Sequence, residues 1–93
     1  MLKVISIDHI EPYILTCSFN NGSKRVLDVK PLFQNHKHLN GISDLLEEKR
    51  FLSAEIGAMG EILWKNSIRS ANNEVWDYDI SPEFIFYEGR KVE

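Results

Sequence analysis

The sequence predicts a single two-layer α+β domain over residues 1–93, with an N-terminal antiparallel β-meander, a second hairpin and two short helices. Three observations predict it. Asn21-Gly22 lies between two runs of strand-forming residues, the strongest short-range hairpin signal. Trp76, Tyr78 and Ile80 alternate with Asp77 and Asp79, the period of a strand with one wet face. Ser81-Pro82-Glu83 joins a serine N-cap, a proline in the first helical turn and a carboxylate near the positive end of the helix dipole.

The elements follow in order. Val4 to Ile7 is rich in β-branched residues and reads as a first strand, closed by Ile10-Glu11-Pro12. Tyr13 to Phe19 reads as a second and Val26 to Val29 as a third. A type I′ turn with Asn21 and Gly22 as its central pair sets Cys17 opposite Val26 and Leu15 opposite Asp28. Leu15, Cys17, Phe19 and Val26 then share one face, and Ile14, Thr16, Leu27 and Val29 the other. Both faces are apolar in part, so both are expected to be partly covered.

Pro31 has no N–H for a ladder and ends the third strand, with Leu32 and Phe33 anchoring a short turn. Gln34 to Asn40 is a polar loop. Ile42, Leu45 and Leu46 recur at helical spacing opposite Ser43, Asp44, Glu47 and Glu48, which predicts an amphipathic helix ending near Arg50. Leu52, Ala54 and Ile56, the Gly57 and Gly60 turn and the run Ile62-Leu63-Trp64 predict the second hairpin. Ser70 to Glu74 is a loop, Val75 to Ile80 a strand, and the last helix carries Phe84, Ile85 and Tyr87 to a stop at Gly89. Arg90 to Glu93 is expected to fray.

Composition bounds the function. With 93 residues, 43% hydrophobic and 27% charged, the chain suits one globular domain. A domain this small buries roughly 60% of its unfolded surface, so a site is expected to be shallow or shared with a partner. Eleven basic against fourteen acidic residues give a net charge of -3, which does not suggest a general polyanion-binding surface. The single Cys17 has no intrachain partner, and a reducing cytoplasm is expected. The apolar start ends at Asp8, short of a signal peptide, and no run reaches the length of a membrane helix.

The phrase Leu15-Thr16-Cys17-Ser18-Phe19-Asn20-Asn21-Gly22, the run Arg25 to Leu32, then Glu61-Ile62-Leu63-Trp64 and Ile80-Ser81-Pro82-Glu83 together resemble the short bacterial proteins of the domain of unknown function 2442 family. The likeness covers most of the chain. It implies a recurrent hairpin glycine at Gly22, an aspartate at Asp28 and a tryptophan at Trp64, none of them an established catalytic residue. Between Trp64 and Asp79 the chain departs from the family's short Trp-Pro-Asn-Gly turn. The resemblance also implies a two-layer module, sometimes fused to a helix-turn-helix domain, beside a second small protein in an arrangement like that of toxin and antitoxin.

Candidate chemistry is sparse. His36 and His38 lack nearby third and fourth metal ligands. Asp77 and Asp79 share a strand face, which is expected to be the wet side of an edge strand, and approach Asp8-His9 only if the first strand lies alongside. Asp28 is expected to brace the turn before Pro31 through a side-chain to backbone hydrogen bond. Lys24-Arg25, Lys49-Arg50 and Arg90-Lys91 are scattered basic pairs, which suit nucleic acid only if folding gathers them on one surface. Phe84 and Phe86 are two apart and cannot both point straight inward from one helix, so Phe86 and Tyr87 are the candidate partner surface. The expected function is therefore a non-catalytic, cytoplasmic binding or regulatory module without cofactor or metal, whose partner is a co-encoded small protein or a second copy. DNA binding is the alternative, and a small hydrolase or metal-binding protein the third.

Overall fold

A computed structural model describes residues 1–92 and has the predicted class. Strands β1 (Val4–Glu11), β2 (Ile14–Phe19) and β3 (Lys24–Asp28) form the meander. Helix α1 (Lys30–Asn35), a 3₁₀ segment (Ile42–Leu46) and helix α2 (Glu48–Phe51) follow, then β4 (Glu55–Ile56), β5 (Ile62–Arg69) and β6 (Val75–Ile80). Helix α3 (Pro82–Glu88) leads into a short β7 (Arg90–Lys91). Two antiparallel sheets result, ordered β1-β2-β3-β7 and β4-β5-β6. Among the described residues no helix is long and apolar enough to cross a membrane.

The Asn21-Gly22 hairpin forms with a different turn from the one expected. Phe19 N donates to Ser23 O at 2.8 Å, and Gly22 N donates to Phe19 O at 3.0 Å. The loop is thus Asn20-Asn21-Gly22, a three-residue connection in which Gly22 alone takes positive φ, at 84°. That extra loop residue shifts β3 by one position. Leu15 pairs with Leu27, Cys17 with Arg25 and Ile14 with Asp28. Leu27 therefore joins Leu15, Cys17 and Phe19 on the buried face, and Val26 moves to the half-exposed one. One face of the sheet is fully covered and the other only in part, with Ile14, Thr16 and Val26 half-buried.

β1 runs through Ile10 and Glu11 instead of turning there, and it keeps its apolar residues inward by two register shifts. Val4, Ile7 and Ile10 meet Phe19, Cys17 and Leu15, a spacing of three that a flat strand of period two cannot supply. The expected turn at Leu32 and Phe33 is a full short helix, with Pro31 in its first turn and Phe33 buried.

The expected helix from Ile42 to Arg50 is broken at Glu47, whose backbone is extended. At 100° per residue an unbroken helix would aim Phe51 about 180° away from Ile42. The break lets Ile42, Leu45 and Phe51 enter one core, and the Glu47 side chain restarts the helix by accepting from Lys49 N.

Residues 90 and 91 do not fray. Arg90 and Lys91 pair with Val26 and Arg25, while Glu93 lies outside the described residues.

Phe33 occupies the centre of the core, with edge-on contacts to Phe51, Trp64 and Tyr78. The Trp64 indole N–H donates to Phe51 O at 2.9 Å, so even this buried aromatic has its polar atom satisfied.

Candidate functional site

The two sequence-predicted clusters of titratable groups stay apart. His9 lies on β1, 3.8 Å from Glu11, whereas Asp77 and Asp79 lie on β6 in the other sheet. The Asp77 carboxylate accepts from Asn66 N at 2.9 Å. His36 Nδ1 sits 2.7 Å from the Tyr78 hydroxyl, and the His38 ring packs edge-on against His36. Among the described residues no three His, Cys, Asp or Glu side chains are grouped to hold a metal ion. Asp28 accepts from Lys30 N at 3.0 Å and so braces the entry to α1, as expected.

Burial and the nearby Asp8 charge push the Cys17 thiol up to about 12. At neutral pH it is protonated and enclosed, and so a poor nucleophile. Burial, assisted by the Asp79 charge, likewise pushes the Tyr78 phenol up to about 12. Asp8 moves the other way: hydroxyl donors from Ser18 and Ser6 and the charge of Lys24 hold its carboxyl below the usual range.

Of the pair expected to form a partner surface, Tyr87 is 77% exposed. Phe86 is half-buried between the Phe19 ring and the Arg25 guanidinium, 4.2 Å from its ring centre. Ile85 faces straight into the core, and Phe84 and Phe86 flank it on either side, each partly covered. Arg25 is further held by Phe86 O.

A better-formed surface lies at the far end of the second sheet, built on an irregularity in β5. Trp64 pairs with Tyr78 and Ile68 with Trp76, so Lys65, Asn66 and Ser67 face the single residue Asp77. The ladder bonds lost there are replaced by side chains. Ser67 Oγ donates to Trp64 O at 2.6 Å and accepts from Tyr78 N at 3.0 Å. The Arg50 guanidinium donates to Lys65 O. Onto this bulge docks the loop from His36 to Gly41, with Arg69 N donating to Asn40 O at 2.9 Å. Gly41 has φ 104°, and a Cβ there would stand 2.2 Å from Ser67 O, so the approach admits only glycine.

That docked loop creates two adjoining clefts, of about 660 and 450 Å³, which share His38, Leu39 and Asn40 in their walls. The first has an apolar floor of Phe33, Ile42 and Leu46, and the second is closed by Ile68 and Trp76. Trp76 points to the same face as Tyr78 and Ile80 but is 56% exposed, because the loop above it stops short. Lys37 and Arg69 supply the charge along this groove, with the His38 imidazole between them in sequence, and among the described residues no Asp or Glu lines either cleft. Alternation in β6 gave Trp76 its face correctly. No sequence signal showed where the covering layer ends.

Comparison of the chain with protein-family models, with curated proteins and with solved structures finds no match in any of the three.

Proposed function

We propose that this chain is a non-catalytic binding module of the cytoplasm that acts through protein contact, its partner a small protein encoded beside it. The same proposal extends to membership of the domain of unknown function 2442 family, on the pattern of Gly22, Asp28 and Trp64. The observation that carries the reading is the groove over Leu39 with Trp76 at its rim. A tryptophan more than half exposed beside an apolar-floored cleft has the composition of an interface anchor. The chemistry of the titratable groups points the same way: buried Cys17 and Tyr78 serve the fold, and the Asp28 and Asp77 carboxylates accept from backbone N–H groups.

DNA binding draws on one observation, the pairing of β3 with β7, which brings Lys24-Arg25 beside Arg90-Lys91. Paired residues share a face, so Arg25 and Lys91 lie on one side and Lys24 and Arg90 on the other. Lys24 is also 3.3 Å from Asp8. The four charges are divided, which favours the protein reading.

Co-purification of the tagged chain from its host, with and without nuclease, tests this. A protein partner retained after nuclease and lost with Trp76→Ala, but kept with Tyr87→Ala, is expected. A partner released by nuclease would transfer the case to DNA.

A further inference from the structure

The groove constrains the chemistry of its occupant. The chain carries a net charge of -3, with fourteen carboxylate side chains among 93 residues. Among the described residues no carboxylate side chain lines the groove, where Lys37, His38 and Arg69 stand instead. Lys37 and Arg69 enter none of the ion pairs formed among the described residues. Their charge is therefore available to a ligand, and a complementary field is the usual device for selecting and orienting one.

Between these charges the floor is apolar, with Leu39 half-buried at the point where the two clefts meet. The cleft that Leu39 and Trp76 both line, of about 450 Å³, falls within the range of sites that enclose a bulky apolar group. We propose that the groove seats an extended acidic segment of the protein partner, with one large apolar side chain between Leu39 and Trp76 and flanking carboxylates facing Lys37 and Arg69. This deepens the protein-contact reading and rests on it.

A single nucleic acid strand fits less well. Binding to phosphates gains its strength from many basic contacts along a track. Here three basic positions surround an apolar floor, which suits one anchored side chain.

The test uses the full chain and a dye-labelled, blocked nine-residue peptide of Glu and Asp around a central Phe, followed by fluorescence anisotropy. The comparators are the same peptide with Lys for each acidic residue, and a nine-residue oligothymidylate. The acidic peptide is expected to bind, more weakly as salt rises. Trp76→Ala and Arg69→Glu should each raise Kd about tenfold or more, and Tyr87→Ala should leave it unchanged. Lys37→Glu, on an exposed loop position, provides a second charge reversal should Arg69→Glu disturb the fold, as judged by thermal unfolding. Equal or tighter binding of the lysine peptide or the oligothymidylate would overturn the proposal, as would failure of the acidic peptide to bind. If the host partner is lost with Trp76→Ala yet the acidic peptide does not bind, the acidic-segment inference fails and the protein-contact reading survives. If no protein partner depends on Trp76, the reading itself fails.

Discussion

The two sheets are both irregular, and they treat irregularity differently. In the first, the shifts in β1 are local and outward: Asp8, displaced onto the open face, accepts from Ser6 Oγ at 2.6 Å and from the Ser18 hydroxyl, with Lys24 beside it. Nothing else is built on them. In the second, the bulge at residues 65–67 is held by Ser67, Asp77 and Arg50 and becomes a platform for the loop that shapes the groove. An extra residue at a sheet surface is cheap; one beneath a docked loop has to be tied at both ends.

Two glycines with positive φ make the comparison breakable. Gly41 is pressed against Ser67 O, whereas Gly22 has no atom within 4 Å of its absent side chain. Gly41→Ala meets both backbone strain and a main-chain clash, and should cost about 3 kcal/mol or more in urea unfolding, with loss of the groove. Next, Ser67→Ala leaves Trp64 O and Tyr78 N without their shared partner and should cost about 1–3 kcal/mol. If Ser67→Ala proves harmless, the bulge does not depend on this hydroxyl and the contrast between the sheets weakens.

The sheets also each bury one weak acid, Cys17 in the first and Tyr78 in the second. Both have a folded pKa of about 12, above unfolded values near 9.0 and 10.0. The folded state therefore holds its protons where the unfolded chain releases them. Stability is at its full value below about pH 9 and is lost as pH rises from 9 toward 12. Urea unfolding at pH 8 and pH 10 should show this fall, and Cys17→Ala should remove more of the early part than Tyr78→Phe, since the thiol titrates first in the unfolded chain. The smallest effect is Gly22→Ala, about 1 kcal/mol for a left-handed residue in open space, most of it recovered by Gly22→Asn.

What could be read from the sequence was whatever one stretch of chain decides for itself. The Ser81 cap, which accepts from Phe84 N at 3.1 Å, and the strand from Val75 to Ile80 were local in this sense. So was the brace at Asp28. The hairpin turn lies where Asn21-Gly22 predicts it but holds one residue more, because Asn-Gly serves a two-residue loop and a three-residue loop alike. The break at Glu47 was hidden, since it answers a demand made by Phe51 from outside the periodic run. The groove was hidden for a stronger reason: its walls come from α1, the 36–41 loop, the 3₁₀ segment, β5 and β6, joined over contacts between residues such as Asn40 and Arg69. Spacing alone marks Phe86 and Tyr87, while Trp76 stands more than half exposed beside a cleft.

β6 stands at the margin of its sheet, and its exposed face carries Asp77 and Asp79. Two copies of such a strand could zip together antiparallel. In either alignment that matches their faces and pairs most of the strand, Asp77 would stand opposite its own copy or opposite Asp79. Directly opposed like charges disfavour that union. The carboxylates thus act as gatekeepers against fibre-like stacking of a strand that also bears Val75 and Trp76. Asp77→Asn together with Asp79→Asn removes the charge from this edge, and concentrated protein should then clump while still folded, as light scattering would show.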